Sequence, residues 1–441
     1  MKSRFNQLSR KILIILLVAV LALLVPIGVN RVTKANEHLS IEAIQQMAGL
    51  YGKAIDRFGQ TIFDGETKDP VIFGNLIYSG KMSANAIAVK YNEELAPGKV
   101  SYFSGYRSME TEPRVMNTTL LSAESQRKIL ELFGSKTGCC FAYNYKTGEV
   151  YMSFSLPSSS PTSASPSYIN RCVSSTYIPG STMKLATSLI AIDQGIDLKK
   201  VSYNCEGSYT LPDGTKLNCH STHGKQNYIQ GLGNSCNCFF AQLILTFDLD
   251  KAIETLKEMG FAVNEENPEK GTLDRLAKAR SSVKITDTAS FKNVWSLVGQ
   301  GQTLVNAADM AMIAGAVANG GKTAVPYIVE SVTNPNKDGK VLYEVKKETK
   351  EMVEGKTAEE MQELWSDAVE NFYHKRGFSE RITYAKTGTA QINNKGGENK
   401  TLVGVIEESD TAFYIVVENY KSGDVAPVTI ANMLATLLPK K

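Results

Sequence analysis

The amino-terminal thirty residues strongly constrain where the parts of this chain can lie relative to a membrane. Residues 12–29 are apolar or small throughout, and four basic residues stand ahead of them: Lys2, Arg4, Arg10 and Lys11. A helix of about 20 apolar residues crosses the ~30 Å hydrocarbon core of a bilayer. Positive charge ahead of such a helix favours a cytoplasmic tail. The sequence therefore predicts a cytoplasmic tail over 1–11, a transmembrane anchor over 12–29 and an extracytoplasmic remainder.

A cleaved signal peptide is the alternative to an anchor. Signal peptides have a shorter apolar core, followed directly by a cleavage site of small residues. The segment RVTKANE after the run offers only Thr33 and Ala35 at the spacing of such a site. An uncleaved anchor is therefore the favoured interpretation.

Charge and length narrow the classes of partner and the number of folding units. Lysine and arginine number 48 against 45 aspartates and glutamates. Because no long block of like charge occurs, nothing in the sequence predicts a nucleic-acid partner. A chain of 441 residues is long enough for two or three units. We expect a small noncatalytic pedestal domain over 30–134 and a second domain over 135–441.

Residues 135–441 have the pattern of a mixed α/β domain built on one sheet. Two apolar runs on either side of a turn at 144–148 are typical of a strand, a turn and a second strand. The segment TAFYIVVENY at 411–420 has the β-branched and aromatic content of a central strand. Between them, STMKLATSLIAIDQG at 181–195 carries apolar residues at helical spacing, after a capping Ser or Thr.

The seven cysteines permit disulfides outside the cytoplasm, and their odd number leaves at least one unpaired. Cys205 and Cys219 flank a turn-rich stretch that could bring their sulfurs together, so a disulfide there is an open possibility. A metal site in CHSTHG, with Cys219, His220 and His223, is the less favoured alternative because the spacing is not that of a zinc finger. The sequence predicts no metal and no cofactor.

A serine and a lysine three residues apart are the strongest catalytic candidates. Serine becomes a good nucleophile when a base takes its proton, and a buried lysine with a lowered pKa can be that base. Ser181 and Lys184 lie on one face of a predicted helix that is apolar enough to bury the lysine. The same spacing occurs at 125–128 and 281–284, but in polar or charged surroundings. We therefore expect Ser181 and Lys184 to act together.

Two further motifs follow in chain order. Ser235 and Asn237 stand directly before an apolar run. The tripeptide Lys-Thr-Gly occurs at 136–138, 146–148 and 386–388. The first copy lies in a predicted helix-to-strand connection and the second in the predicted hairpin turn. The third copy comes after the other two motifs and continues into Thr389, so it is the copy that we expect to act in the site.

This ordered triple resembles the penicillin-binding transpeptidases and serine β-lactamases. The flanking segments NRCVSSTYIPGSTMK, HGKQNYIQGLGNSCNCFFAQL and GQGQTLVNAADMAMIAGAVANGGKTAVP are similar to the same family, and AKTGTAQ differs from it by Ala385 where glycine is usual. The resemblance covers about residues 135 to 441. It implies an antiparallel five-stranded sheet flanked by helices, with an all-helical subdomain.

The residue types give each catalytic candidate a role within this resemblance. Ser181 would attack a carbonyl carbon while Lys184 takes its proton. Ser235 would relay a proton to the leaving amine, and Asn237 would hydrogen-bond both Lys184 and the substrate amide. In the family, the backbone N–H groups of the residues that match Ser181 and Thr389 form the oxyanion hole.

The third motif supplies the candidate substrate-binding residues. Lys386 would lower the pKa of Lys184 and attract a substrate carboxylate, which Thr387 and Thr389 could hydrogen-bond. Gly388, with no side chain, would let an extended peptide lie against the strand edge.

The resemblance implies D,D-transpeptidation of peptidoglycan, in which a stem peptide ending in D-Ala-D-Ala acylates Ser181 and a neighbouring amine takes the acyl group. β-Lactams would then be covalent inhibitors. One anchor, a segment over 30–134 too short for a glycosyltransferase domain, and Asp56-Arg57-x-Gly59 resemble class B members. The expected location is a bacterial cell membrane, single-pass, with the catalytic domain outside. The expected partners are stem peptides, a membrane glycosyltransferase and other cell-wall assembly proteins.

Three alternatives remain open at this point. A D,D-carboxypeptidase or a serine β-lactamase would pass the acyl group to water, and no Glu-x-x-x-Asn in a convincing context lies between Ser235 and Lys386 to prepare that water. A noncatalytic β-lactam sensor or scaffold would use the pocket only for binding. The intact motif triple argues against a noncatalytic protein, and a noncatalytic amino-terminal domain is unusual for a hydrolase, so the transpeptidase is favoured.

Overall fold

The structure is a computed structural model that describes residues 11, 13–22, 24–27, 29, 53–63, 87–95, 114–157, 169–392 and 397–440. Much of the predicted pedestal therefore lies outside the described residues. Within the predicted anchor, residues 13–22 and 24–27 are helical with exposed side chains. Among the residues described, no helix combines the length and the apolar content that crossing a bilayer requires.

The strands of the described ranges are numbered in chain order: β1 Lys53–Ile55, β2 Thr61–Phe63, β3 Val115–Thr118, β4 Gly138–Asn144, β5 Val150–Leu156, β6 Ser202–Cys205, β7 Ser208–Thr210, β8 Lys216–Asn218, β9 Gly224–Asn227, β10 Ala262–Val263, β11 Gly271–Leu273, β12 Leu276–Lys278, β13 Ser282–Val283, β14 Thr303–Leu304, β15 Lys322–Ala324, β16 Val329–Asn334, β17 Lys340–Glu344, β18 Thr349–Glu351, β19 Tyr384–Gln391, β20 Glu398–Ile406 and β21 Thr411–Val417.

The α-helices after the amino-terminal helical residues are numbered in the same way: α1 Ile87–Lys90, α2 Asn92–Leu95, α3 Ala123–Phe133, α4 Arg171–Ser174, α5 Lys184–Asp193, α6 Tyr228–Gly233, α7 Asn237–Ile244, α8 Leu249–Glu258, α9 Phe291–Val298, α10 Ala307–Ala318, α11 Gly355–Ala368 and α12 Pro427–Leu437.

The central sheet is antiparallel and has five strands in the order β19-β20-β21-β4-β5. All seven residues of β21 are buried, so both faces of the sheet are covered, which explains the continuous apolar and β-branched sequence of this strand. Helices α10 and α12 pack against β20 and β21. β19 carries the Lys-Thr-Gly motif and forms one edge of the sheet.

The five-stranded sheet that the resemblance implied is therefore present, but the expectation of a single sheet is wrong. Six further sheets occur among the described residues. The helical region between β5 and β19 is also not all-helical, because short strand pairs such as β6–β9 and β7–β8 lie within it. These short pairs depend on contacts between distant residues, which apolar spacing does not reveal.

A second five-stranded sheet joins strands near the amino terminus to β16 and β17, which lie more than two hundred residues later in the chain. Its order is β17-β16-β3-β1-β2, with β1 and β3 parallel and the other pairs antiparallel. Arg57, in the turn between β1 and β2, pairs with Glu149 at 3.2 Å and lies 4.4 Å from the centre of the Tyr151 ring. The unit formed by β1, β2 and β3 is thus attached both to β16 and to the β4–β5 hairpin.

Candidate active site

Ser181 lies in a 3₁₀ turn, Gly180–Met183, that leads directly into α5. Gly180 has a φ of +58°, and a Cβ there would lie 2.6 Å from the Thr389 carbonyl oxygen, so only glycine fits. The hydroxyl of Thr182 donates to the Pro179 carbonyl at 2.9 Å. The expected Ser or Thr cap of α5 is wrong, because the cap residue is Met183, without a side-chain hydrogen bond. Thr182 closes the turn instead.

Lys184 is fully buried and its ammonium nitrogen is surrounded by oxygens. Nζ lies 2.7 Å from Ser181 Oγ, 2.8 Å from Asn237 Oδ1 and 2.9 Å from the Ser235 carbonyl oxygen. Burial, and then the neighbouring positive charge of Lys386, hold the pKa of Lys184 well below its usual range. The lowered pKa favours the neutral amine that a general base requires.

Ser235 and Asn237 lie in the connection from α6 to α7. Ser235 adopts a left-handed backbone with φ of +53°, which costs energy for any residue with a side chain. The turn is held by backbone hydrogen bonds, in which the N–H of Ser235 donates to Leu232 at 3.0 Å and that of Cys236 to Gly231 at 2.9 Å. This turn places the Ser235 carbonyl and the Asn237 side chain within hydrogen-bond distance of Lys184.

Lys386, on β19, contacts Ser235 from the side opposite Lys184. It is fully buried, and its Nζ donates to Ser235 Oγ at 3.0 Å and to the Thr387 carbonyl at 2.9 Å. Burial, followed by the charge of Arg376, lowers the pKa of Lys386 to about 7. Ser235 Oγ is also 3.5 Å from Lys184 Nζ, so this hydroxyl lies between the two lysines.

Gly388 and Thr389 continue the edge strand along the nucleophile turn. A Cβ on Gly388 would lie 2.5 Å from the Pro179 carbonyl oxygen. Glycine is therefore needed for close packing of β19 on that turn, a reason different from the expected space for a peptide. The Thr389 carbonyl accepts from Gln300 Nε2 at 3.0 Å, and its hydroxyl accepts from Lys400 Nζ at 3.0 Å.

These side chains surround a cavity of about 480 Å³, lined by six of the eight predicted site residues together with residues that sequence reasoning did not single out. Lys184 and Lys386 do not line the cavity and are fully buried. The cavity residues from the motifs are the following: Ser181, Ser235, Asn237, Thr387, Gly388 and Thr389.

Sequence reasoning did not single out several other residues of this cavity. Arg376 is exposed at the wall and donates to the Gly233 carbonyl at 2.8 Å, which ties it to the Ser235 turn. Gln300 supports Thr389. His220, considered from the sequence only as a metal ligand, also lines the cavity. No short motif marks Arg376, because its position near Lys386 depends on how the segment after α11 packs.

The other copies of the motifs lie elsewhere and have structural surroundings. Lys146–Gly148 forms the turn of the β4–β5 hairpin, as predicted, and Lys136–Gly138 connects α3 to β4. Lys128 pairs with Glu124 on an exposed helix. The Ser281 hydroxyl is buried and donates to Asp309 at 2.8 Å.

The predicted disulfide between Cys205 and Cys219 is wrong, since both cysteines are free. The expected chain reversal does occur, because β7 and β8 pair on either side of a turn at Leu211–Gly214. The two sulfurs nevertheless face the His223 imidazole, at 3.5 Å from Cys205 and 3.6 Å from Cys219.

Solved structures share this fold. Penicillin-binding protein A from M. tuberculosis, in a ceftriaxone acyl-enzyme complex, matches with a TM-score of 0.74 at 20% identity, over 90% of this chain and 100% of that one. The D,D-transpeptidase domain of a peptidoglycan glycosyltransferase from Eggerthella lenta matches with a TM-score of 0.71 at 19% identity, over 88% and 98% of the two chains.

Curated proteins are similar in sequence. Stage V sporulation protein D of Bacillus subtilis (strain 168) is 27% identical over 321 residues, which are 68% of this chain and 48% of that protein. Peptidoglycan D,D-transpeptidase PbpA of Mycolicibacterium smegmatis is 29% identical over 174 residues, 38% of this chain and 34% of that protein. The chain spans about half or less of the length of these relatives.

The fold and the site define a class of protein in which a serine hydroxyl is hydrogen-bonded to a buried lysine beside a sheet edge. Residues 138–435, more than half of the chain, match the family model of the penicillin binding protein transpeptidase domain. The chain belongs to this penicillin-binding transpeptidase family.

Proposed function

We propose that the protein is a peptidoglycan D,D-transpeptidase that cross-links stem peptides through an acyl-enzyme on Ser181. The arrangement around Lys184 carries the proposal. A neutral amine has two N–H bonds and one lone pair. The Ser235 carbonyl and Asn237 Oδ1 can accept the two N–H groups, so the lone pair faces the Ser181 hydroxyl at 2.7 Å. The similarity to PbpA, which is named as a peptidoglycan D,D-transpeptidase, supports the same reaction.

Acylation would begin when Ser181 Oγ attacks the carbonyl carbon of the penultimate D-Ala and Lys184 takes the hydroxyl proton. The carbonyl electrons move to oxygen, and the backbone N–H groups of Ser181 and Thr389 are the proposed oxyanion donors. On collapse, the C–N bond breaks and the terminal D-Ala leaves. Its amine receives the proton from Lys184 through Ser235 Oγ, which lies between the two lysines.

In the second half of the reaction, transfer of the acyl group to an acceptor amine, the same side chains would act in reverse order. An amine of a neighbouring stem peptide attacks the ester carbonyl, and its proton passes through Ser235 to neutral Lys184. The C–O bond to Ser181 then breaks, and Ser181 Oγ recovers the proton from Lys184. A new amide bond has formed, and both side chains have returned to their starting states.

Substrate binding would use the edge of the central sheet. β19 is an edge strand, so an extended stem peptide can add to it with main-chain hydrogen bonds. Arg376 at the cavity wall and buried Lys386 make this end positive, which suits the substrate carboxylate. The hydroxyls of Thr387 and Thr389 are the proposed donors to that carboxylate.

The cavity lining favours transfer to an amine over transfer to water. Among the described residues that line it, Glu398 is the single carboxylate, and its Oε2 pairs with Lys400 at 3.0 Å. A β-lactamase or carboxypeptidase needs a group that activates water at the acyl-enzyme. With Glu398 paired, we expect a long-lived acyl-enzyme.

We also propose a single-pass anchor over 12–29 in a bacterial cell membrane, with the site outside. The exposed apolar side chains of the helical residues 13–22 support this proposal. A membrane glycosyltransferase that supplies new strands is the proposed partner, because a cross-linking enzyme acts on the product of glycan polymerisation.

The test is labelling of the full chain in detergent with a fluorescent penicillin, with loss of label followed over hours. We expect a persistent label in the native chain, none in Ser181→Ala, and an unchanged label in the matched control Ser125→Ala. Release of D-Ala from a stem peptide, with and without an acceptor amine, then separates transfer from hydrolysis. Rapid loss of label, or D-Ala release that an acceptor does not convert into cross-linked product, would overturn the transpeptidase.

A further inference from the structure

We propose that Cys205, Cys219, His223 and Cys236 bind one zinc ion beside the active site. Their ligand atoms, three sulfurs and one imidazole nitrogen, all lie within 4.8 Å of one another. The sequence led to the opposite expectation, because CHSTHG contains only two of these residues. The other two come from a separate strand and from the turn before α7.

The distances between the ligand atoms fit a tetrahedral zinc ion. With Zn–S bonds of about 2.3 Å and Zn–N bonds of about 2.0 Å, tetrahedral ligands lie ~3.8 Å apart for two sulfurs and ~3.5 Å apart for sulfur and nitrogen. Cys219 Sγ and Cys236 Sγ are 3.8 Å apart. His223 Nδ1 lies 3.5 Å from Cys205 Sγ and 3.6 Å from Cys219 Sγ.

Backbone hydrogen bonds hold three of the ligands in place. Cys205 ends β6 and pairs with Gly224 of β9, and the His223 N–H donates to the Cys205 carbonyl at 3.2 Å. The Cys219 N–H, just after β8, donates to the Gly207 carbonyl at 2.9 Å. The strand pairs therefore preorganise the site, which reduces the entropy that binding must overcome.

The donor set selects the class of ion. Thiolates and imidazole suit zinc, whereas calcium and magnesium require oxygen ligands. One disulfide would use two of the three sulfurs and leave the third beside His223 without a role. Four protein ligands complete a tetrahedron, so the ion would be structural and would take no part in acyl transfer.

The site is continuous with the catalytic turn. Cys236 stands between Ser235 and Asn237, and its sulfur accepts from the Phe239 N–H at 3.4 Å. Asn237 Nδ2 donates to the carbonyl of Asn218, the residue before Cys219, at 3.3 Å. A zinc ion would therefore hold the left-handed Ser235 turn and the β7–β8 loop together, making Cys236 a positioning residue.

The first test measures zinc in the full chain after purification and dialysis, by mass spectrometry of the metal. We expect one ion per chain in the native protein and in Cys140→Ala, a matched buried cysteine on β4. Cys219→Ala and His223→Ala should bind almost none. Because a variant could fail to fold, cobalt is also substituted into the native chain, where it should give the intense visible absorption of a tetrahedral thiolate site.

Zinc-free native protein, cobalt without that spectrum, or full zinc content in His223→Ala would each overturn the proposal. The metal content does not depend on the proposed function. A second experiment does depend on the proposed function. Chelation should slow penicillin acylation by ~10-fold or more, as loss of supporting contacts does, and added zinc should restore the rate. Zinc binding without any effect of chelation would overturn the positioning role alone.

Discussion

Two fully buried lysines lie on either side of the Ser235 hydroxyl, and they differ in what surrounds them. Lys184, on α5, contacts three oxygens within 2.9 Å. Lys386, on β19, contacts the Ser235 hydroxyl and a main-chain carbonyl. Burial is the main cause of the lowered pKa in both cases, but the second cause is Lys386 for Lys184 and Arg376 for Lys386.

Because their surroundings differ, the two lysines have different proposed roles: proton transfer for Lys184 and substrate recognition for Lys386. Lys184 is adjacent to the nucleophile, so its neutral form can act as a base. Lys386 is separated from Lys184 by the Ser235 hydroxyl, so its proposed role is to act through its charge on Lys184 and on an incoming carboxylate. Arg376, Lys386 and Lys184 thus form a series of positive charges, in which each member makes the next easier to deprotonate.

The largest effect should come from Lys184→Met, which keeps the length of the side chain but removes the base. We expect the penicillin acylation rate to fall by about 10²–10⁴-fold, measured by stopped-flow or gel labelling. Thermal melting of the variant provides the control, because methionine suits an apolar site. A larger loss in Lys386→Met than in Lys184→Met would contradict the assignment of the base.

A smaller effect should come from Lys386→Met. Without the Lys386 charge the pKa of Lys184 rises, so the ascending limb of the pH–rate profile should move to higher pH. At neutral pH we expect a loss of roughly 10–10²-fold with a carboxylate substrate and a smaller loss with its amide analogue. An unshifted pH profile would show that Lys386 does not act on Lys184.

Arg376→Gln should have a still smaller effect, because Arg376 acts on Lys386 rather than on the base. Glutamine can still donate to the Gly233 carbonyl, so the turn should persist. We expect the pKa of Lys386 to rise and acylation to change by less than ~10-fold. Lys375→Gln, the neighbouring exposed residue, is the matched control and should leave the rate unchanged.

The smallest effect should appear in the pH dependence of the free energy of unfolding. Folded Lys386 loses its proton near pH 7, whereas the unfolded side chain holds it to about 10.5. The unfolded state therefore binds more protons between these values, so the free energy of unfolding should rise as pH increases from 7 to 10.5. Below pH 7 this contribution is constant. Urea titrations should show a shallower rise in Lys386→Met, and equal slopes would contradict the burial of a neutral lysine.

The chain order of short motifs allowed much of the site to be predicted. Ser181, Lys184, Ser235, Asn237 and Lys386 come together as the motifs suggested, because helices and strand edges hold residues at fixed spacing. Local patterns also predicted the β4–β5 hairpin and the β21 strand correctly.

Other features depend on contacts between residues far apart in sequence. Arg376 reaches Gly233 across 143 residues, and no local pattern encodes that distance. The disulfide prediction failed for a similar reason: the turn between Cys205 and Cys219 was recognised, but the direction of each sulfur depends on His223 and Cys236. The second sheet was missed because β3 pairs with β16, two hundred residues later.

That second sheet has a consequence for how the protein can be divided. A fragment that starts at residue 135 would lack β1, β2 and β3, although it contains the whole segment that matches the family model. β16 would then have an open edge, and buried Val329 and Val332 would lose their neighbouring strand. The segment that the family model matches is therefore smaller than the unit whose strands pair in this sheet, and expression boundaries should follow the sheet.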